Sequence, residues 1–190
     1  MAQLDAWRKS GINIWVSVNL PAKHLQSKGF VDFVLSVMSR YPDLKGRSIT
    51  FEILETAALG DMGLAIRKME DCIKQGICFS IDDFGTGYAS LSYLRRLPAS
   101  TIKIDQSFIR GMLDDADDLS IVKGVISLAD AFQKEVIAEG VETIEHGVKL
   151  LEMGCYLGQG YAISHPMNAK DVTNWINEFK LPPEWKKSLD

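Results

Sequence analysis

Ile77-Cys78-Phe79-Ser80-Ile81-Asp82-Asp83 is the stretch on which the reading of the fold turns. It is a short, almost wholly apolar run that stops at two adjacent aspartates. Runs of the same kind recur along the chain: Ile12 to Asn19, Ile49 to Leu54, Thr101 to Ile104, Glu135 to Glu139, and a weaker one around Tyr156. Their nearly continuous apolar character predicts strands buried on both faces. The stretches between them carry helical spacing. Asp61 caps a helix with Met62, Ile66, Met69 and Ile73, which Gly76 ends. A long helix follows Asp117 and Asp118, another runs from Thr143 to Gly154, and Asn168 caps a last one that Leu181-Pro182-Pro183 stops. Strands alternating with helices mean βαβ units and a parallel sheet. Six units are visible. A closed (β/α)8 barrel needs eight strands in about 250 residues, and an open doubly wound sheet is the competing architecture.

Composition narrows the function classes. The 190 residues suffice for one domain with a real core. A net charge of -4 argues against a protein that coats nucleic acid, so no DNA partner is expected. No apolar run is long enough to span a bilayer. Cys72, Cys78 and Cys155 form no C-x-x-C pair, which argues against a disulfide framework or thiolate zinc site. A reducing, cytoplasmic setting is the simplest.

The polar exceptions carry the chemistry. Asn19 closes the first run, Glu52 interrupts the second, and Asp82 and Asp83 end the third. Lys103 sits inside the fourth and Asp105 ends it; Glu139 ends the fifth, and Gln159 follows the sixth. A charge in a buried strand is costly unless paired or bound to metal. Successive units placing polar groups at the same strand end make them converge, in a barrel or in an open sheet alike. Carboxylates with an amide oxygen suit hard cations such as Mg2+ or Mn2+. Adjacent aspartates can serve two ions, and an ion pair about 4 Å apart suits in-line displacement at phosphorus. Lys103 is placed to steady developing charge or the attacking water. The loop Asp83-Phe84-Gly85-Thr86-Gly87-Tyr88 gives tight backbone beside a ligand.

At these residues the sequence resembles the EAL domain family of cyclic di-GMP phosphodiesterases. The resemblance rests on Val-Asn-Leu at 18 to 20, Phe-Glu-Ile-Leu-Glu at 51 to 55, Asp-Asp-Phe-Gly-Thr-Gly-Tyr at 82 to 88 and Leu-Ser-Tyr-Leu at 91 to 94. It continues through Lys-Ile-Asp at 103 to 105, Ala-Glu-Gly-Val-Glu-Thr at 138 to 143 and Gln-Gly-Tyr at 159 to 161. It implies an α/β fold, an incomplete TIM-like (β/α)8 barrel of the EAL type with about six βα units present. It also implies hydrolysis of cyclic di-GMP to pGpG with two Mg2+ or Mn2+ ions. Asn19, Glu52 and Asp82 look like ligands of one ion, and Asp83 and Glu139 of the other, with Asp82 between them. Lys103 resembles the lysine that contacts the catalytic water. Glu55 resembles the glutamate that holds the Asp-Phe-Gly loop, so Lys103, Glu139 and Glu55 are the catalytic candidates. Gln159, with Phe84, Gly85 and Thr86, is expected on the substrate side. Glu142 is read as structural or functional alike.

The sequence also departs from the family. The Glu-Ala-Leu segment expected upstream of Val-Asn-Leu is absent, so the reading is of a partial EAL domain over 1–181 and a C-terminal tail over 182–190. Tyr156 stands where the family usually has Asp, and His165 where it usually has Arg. The alternative to an active phosphodiesterase is a truncated, inactive EAL domain that binds cyclic di-GMP or a protein. Self-association, and an upstream sensor or cyclase domain in a parent protein, are further expectations. His24 and His146 read as surface residues, Phe84, Tyr88 and Tyr93 as packing rings, and Asp114 to Asp118 as a solvated helix start.

Overall fold

Every residue of the run Thr101–Ile104 is buried, as expected of a strand covered on both faces. The computed structural model describes residues 1–44, 48–55, 61–87 and 91–188. Its six strands are β1 (Val16–Asn19), β2 (Ile49–Leu54), β3 (Cys78–Phe84), β4 (Thr101–Ile104), β5 (Glu135–Glu139) and β6 (Leu157–Gln159), and they follow one another in the sheet in chain order. The β1–β2, β4–β5 and β5–β6 pairings are parallel. Between strands lie the helices α1 (Ala2–Lys9), α2 (Ala22–Gln26), α3 (Phe30–Met38), α4 (Met62–Ile73), α5 (Leu91–Arg96), α6 (Gln106–Gly111), α7 (Ala116–Ala131) and α8 (Ile144–Glu152). Two more, α9 (Val172–Glu178) and α10 (Pro183–Lys187), follow β6. Each expected strand is present.

The chain divides into two compact units: Met1–Ile81 with Tyr88–Ser100, and Asp82–Gly87 with Thr101–Asp190. In the first, Leu4, Leu44 and Ile49 form a core cluster joined by Trp7, Val16, Met38 and Phe51. Phe51 stacks obliquely on Phe30 and Phe79, with ring centroids 6.1 and 5.8 Å away. In the second, α7 packs on β4 and β5. It does so because Val122, Val125 and Ala129, at helical spacing, are its buried residues.

Helix ends show where local chemistry differs from expectation. Asp61 caps α4 by accepting the Leu64 N–H at 2.9 Å, and Thr143 caps α8 by accepting the His146 N–H at 3.2 Å, as expected. The helix α7 begins at Ala116, so Asp117 and Asp118 lie in its first turn rather than before it, and its cap is Asp115. Asp115 is extended, and its carboxylate accepts the N–H groups of both. Asn168 does not cap α9. Its main-chain carbonyl accepts the Asp171 N–H in the turn before the helix. Within the segment read as a tail, Pro183 opens the helix α10, as proline favours at a first helical position. His146 is not a surface residue: it is 5% exposed. His24 is exposed, as expected. Tyr88 lies outside the described residues. None of the described helices is long and apolar enough to cross a membrane.

Candidate functional site

Parallel register fixes which polar groups meet. In the first unit Asn19 of β1 pairs with Glu52 of β2, so the amide and the carboxylate lie side by side at the strand ends. Glu52 and Glu55 are both buried. In the second unit Glu139 of β5 pairs with Gln159 of β6. Lys103 of β4 pairs with Ile137, two residues before Glu139, so Lys103 and Glu139 share a sheet face.

That shared face carries a cluster of charge. Lys103 is 3% exposed. Its Nζ lies 2.8 Å from Asp82 Oδ1 and 2.7 Å from Glu139 Oε1. Asp82, Asp83 and Glu139 each present a carboxylate oxygen within 4.8 Å of the others. Three carboxylates against one ammonium leave an excess of negative charge in a partly buried site. Burial pushes the Asp83 carboxyl above the ordinary carboxylate range; the charges of Asp82 and Asp105 add to the shift, and Lys103 opposes it. Asp83 also holds φ at +52°, a left-handed conformation that non-glycine residues seldom adopt. Its carbonyl accepts the Thr86 hydroxyl at 2.9 Å, which turns the chain away at the strand tip. Backbone strain of this kind gathers at functional sites.

The donor set fits a hard divalent cation: three carboxylates, without imidazole or thiolate. Burial pushes the Cys72 and Cys155 thiols up to about 11, leaving both protonated at neutral pH. Beside the cluster a cleft of about 230 Å³ opens, lined by Glu139 and Gln159 together with Gln106, Arg110, Glu142 and Tyr161.

The structure therefore brings Asp82, Asp83, Lys103 and Glu139 together, with Gln159 next to Glu139. Phe84 is buried at the tip of β3, and the Phe108 ring crowds Gly85. Asn19, Glu52 and Glu55 belong to the first unit. Three contributors escaped the sequence reading. Arg110 pairs with Glu142 at 2.6 Å, which gives Glu142 a partner. His146 accepts the Glu142 N–H at Nδ1, 3.3 Å away. Tyr161 stacks on His165 with ring centroids 4.2 Å apart, and only its place in Gln-Gly-Tyr hinted at it. Tyr156 is 67% exposed and precedes β6, at the opposite strand end from Gln159.

The EAL domain family model matches residues 1–166. A bifunctional diguanylate cyclase/cyclic di-GMP phosphodiesterase of Pseudomonas aeruginosa, MucR, is 37% identical over 171 residues, covering 90% of this chain and 25% of the relative. The cyclic di-GMP phosphodiesterase PA2567 of the same organism is 33% identical over 181 residues, covering 93% of this chain and 30% of the relative. This chain thus spans less than a third of the length of either relative. The crystal structure of the EAL domain of Mycobacterium smegmatis DcpA superposes with a TM-score of 0.88 at 36% identity, covering 95% of this chain and 82% of that one. The MucR phosphodiesterase structure in complex with cyclic di-GMP gives 0.84 at 36% identity, covering 90% and 69%. Of the two architectures open at the level of sequence, the α/β EAL-type incomplete barrel, with its six successive βα units, is the one these structures share. With the family model spanning most of the chain, the chain belongs to the EAL domain family.

Proposed function

We propose that this chain is a metal-dependent phosphodiesterase domain that hydrolyses cyclic di-GMP to pGpG. The observation that carries the reading is Lys103, buried between Asp82 and Glu139 with Asp83 beside them. Such a cluster suits two Mg2+ or Mn2+ ions, which when bound would offset the phosphate charge and activate water. Asp82, Asp83 and Glu139 would hold cations, and the roles implied for Asn19 and Glu52 as further ligands belong to the same proposal. The product defines the bond change. Water adds to phosphorus, the P–O3′ bond breaks, and the phosphate stays on the 5′ oxygen. A proton must leave the attacking water and one must reach the departing 3′ oxygen. Lys103 Nζ contributes a fixed positive charge, held ready by two carboxylates, for the oxygen that gains charge. Gln159, beside Glu139 and lining the cleft, would contact substrate or water, as would Phe84, Gly85 and Thr86 of the β3 tip loop. Glu55 would support that loop. The Glu-Ala-Leu glutamate, a metal ligand in the family, is missing from the set, but Asp82, Asp83, Lys103 and Glu139 standing together favour turnover over the alternative of an inactive module that only binds.

The reading includes a cytoplasmic setting and, in a parent protein, an upstream sensor or cyclase domain. It includes self-association as well, supported by the exposed Trp15 and Val18 on and beside β1. A single monodisperse monomer in light scattering would contradict that last part. The activity is tested by incubating the chain with cyclic di-GMP and excess Mn2+, resolving pGpG by chromatography, with Glu52→Ala as the control. Product that vanishes in the variant supports the reading; no product from the unaltered chain defeats it.

A further inference from the structure

The helix α10 lies beyond residue 166, where the match to the family model ends. Yet its Trp185 is 6% exposed and packs on the first turns of α8. The indole Nε1–H donates to the Ile144 carbonyl at 2.8 Å. Gly147 lies against the ring, so closely that a Cβ there would come within 2.3 Å of indole atoms. A buried indole with its one donor satisfied acts as an anchor.

What α10 anchors is the segment that follows the Glu139 carboxylate. Only Gly140, Val141 and Glu142 separate Glu139 from Thr143, the cap of α8. Each of the three is tied. Gly140 holds φ at +75°, and a Cβ there would sit 2.7 Å from Gln106 Cβ. The Val141 N–H donates to the Gln159 carbonyl at 3.0 Å. The Glu142 N–H donates to His146 Nδ1 at 3.3 Å, and the His146 N–H returns to Thr143 Oγ1 at 3.2 Å. The imidazole here takes the reaching-back part that Glu or Gln plays in a capping box. The first turn of α8 and the Glu139 loop are thereby one connected piece, and Trp185 holds it from outside.

We infer that Trp185 is a positioning residue for Glu139: the C-terminal helix sets, through the first turn of α8, the carboxylate geometry of the charged cluster. The inference rests on the proposed function only in taking that cluster to bind a divalent cation. Groups that orient metal ligands from outside commonly change affinity by tenfold or more, and Trp185 acts on Glu139 in that way through the first turn of α8.

Two variants of the full chain separate positioning from folding. Trp185→Ala removes the ring. Gly147→Ala keeps the ring but fills the space it occupies, while raising the intrinsic helix propensity of α8, so it does not depend on a weakened helix. Mn2+ affinity is read by electron paramagnetic resonance, and amide hydrogen exchange is followed at Val141 and Glu142. Both variants should lose about tenfold in Mn2+ affinity. Exchange should quicken at Val141 and Glu142 while Ile102 in β4 is unchanged. Trp185→Phe, which keeps an aromatic ring without the N–H, should recover much of the loss. Affinity within about twofold of the unaltered chain in both alanine variants overturns the inference, even if melting temperatures fall, because a merely structural helix would do that much. An unaltered chain that binds Mn2+ but leaves cyclic di-GMP intact would defeat the proposed activity and leave this inference standing.

Discussion

The two ends of β5 and β6 carry two clefts of different character. At the amino-terminal end a cleft of about 360 Å³ is lined by Asp130, Lys134, Glu135 and Tyr156 together with Ile126 and Leu157. At the carboxyl-terminal end the cleft is smaller, about 230 Å³, and holds Glu139 and Gln159. Volume alone would choose the larger one. The smaller cleft adjoins a buried lysine between two carboxylates, a third carboxylate with its proton affinity raised, and a left-handed aspartate. The larger one adjoins Lys134, which burial alone holds below the ordinary lysine range. Crowded like charge in a partly buried place is costly without a cation to offset it, whereas a roomy surface cleft costs little and implies little. Strand direction decides which end is which, because Glu139 and Gln159 close β5 and β6, whereas Glu135 and Leu157 open them.

That contrast is open to attack at several points. The largest effect is expected at Lys103. Replacing it with Met leaves Asp82 and Glu139 facing each other without their shared cation, at a cost of about 3–5 kcal/mol in denaturant unfolding without metal. Added Mn2+ should return part of the loss, and no return would break the link between the cluster and metal. Next is Glu139→Gln, which should weaken Mn2+ binding by about tenfold or more in a calorimetric titration. Binding unchanged by this substitution would move the metal elsewhere.

A smaller effect concerns pH. The folded-state pKa of Asp83 is raised, so in the metal-free protein the folded chain holds more protons than the unfolded chain as pH rises past the ordinary carboxylate value. Stability should therefore fall across that window. Asp83→Asn should be the more stable protein at neutral pH without metal, with the difference disappearing in acid; a constant difference across pH would contradict the charge argument. The smallest effect is expected at the other end of the strands. Tyr156→Asp restores the usual family residue there and should leave phosphodiesterase activity within about twofold. A large change would mean that the amino-terminal cleft communicates with the reaction.

The legible part of this molecule was the part written in short-range patterns. Apolar runs with a polar residue in or beside them located all six strands, but the expected burial on both faces holds throughout only for β4, while β1 and β6 are largely exposed. The same rule pointed to Asp82, Asp83, Lys103 and Glu139, since a charge in such a run must find a partner. His146 was misjudged for the opposite reason. Nothing within a few residues signals that its ring turns back to accept the Glu142 N–H; only the packing of α8 determines that. Arg110 and Glu142, 32 positions apart, meet across folded structure and leave no periodic trace. Trp185 followed a double proline that reads as a stop, so its helix and its contact with Ile144 emerge only in three dimensions.

The cluster at the carboxyl-terminal strand ends is the proposed place where phosphorus is attacked. The most direct test is the rate of pGpG release from cyclic di-GMP in saturating Mn2+, measured for the unaltered chain and for Lys103→Met under conditions where both are folded. A fall of about 100-fold or more in the variant is predicted. Equal rates in the two proteins would place the chemistry somewhere other than this cluster.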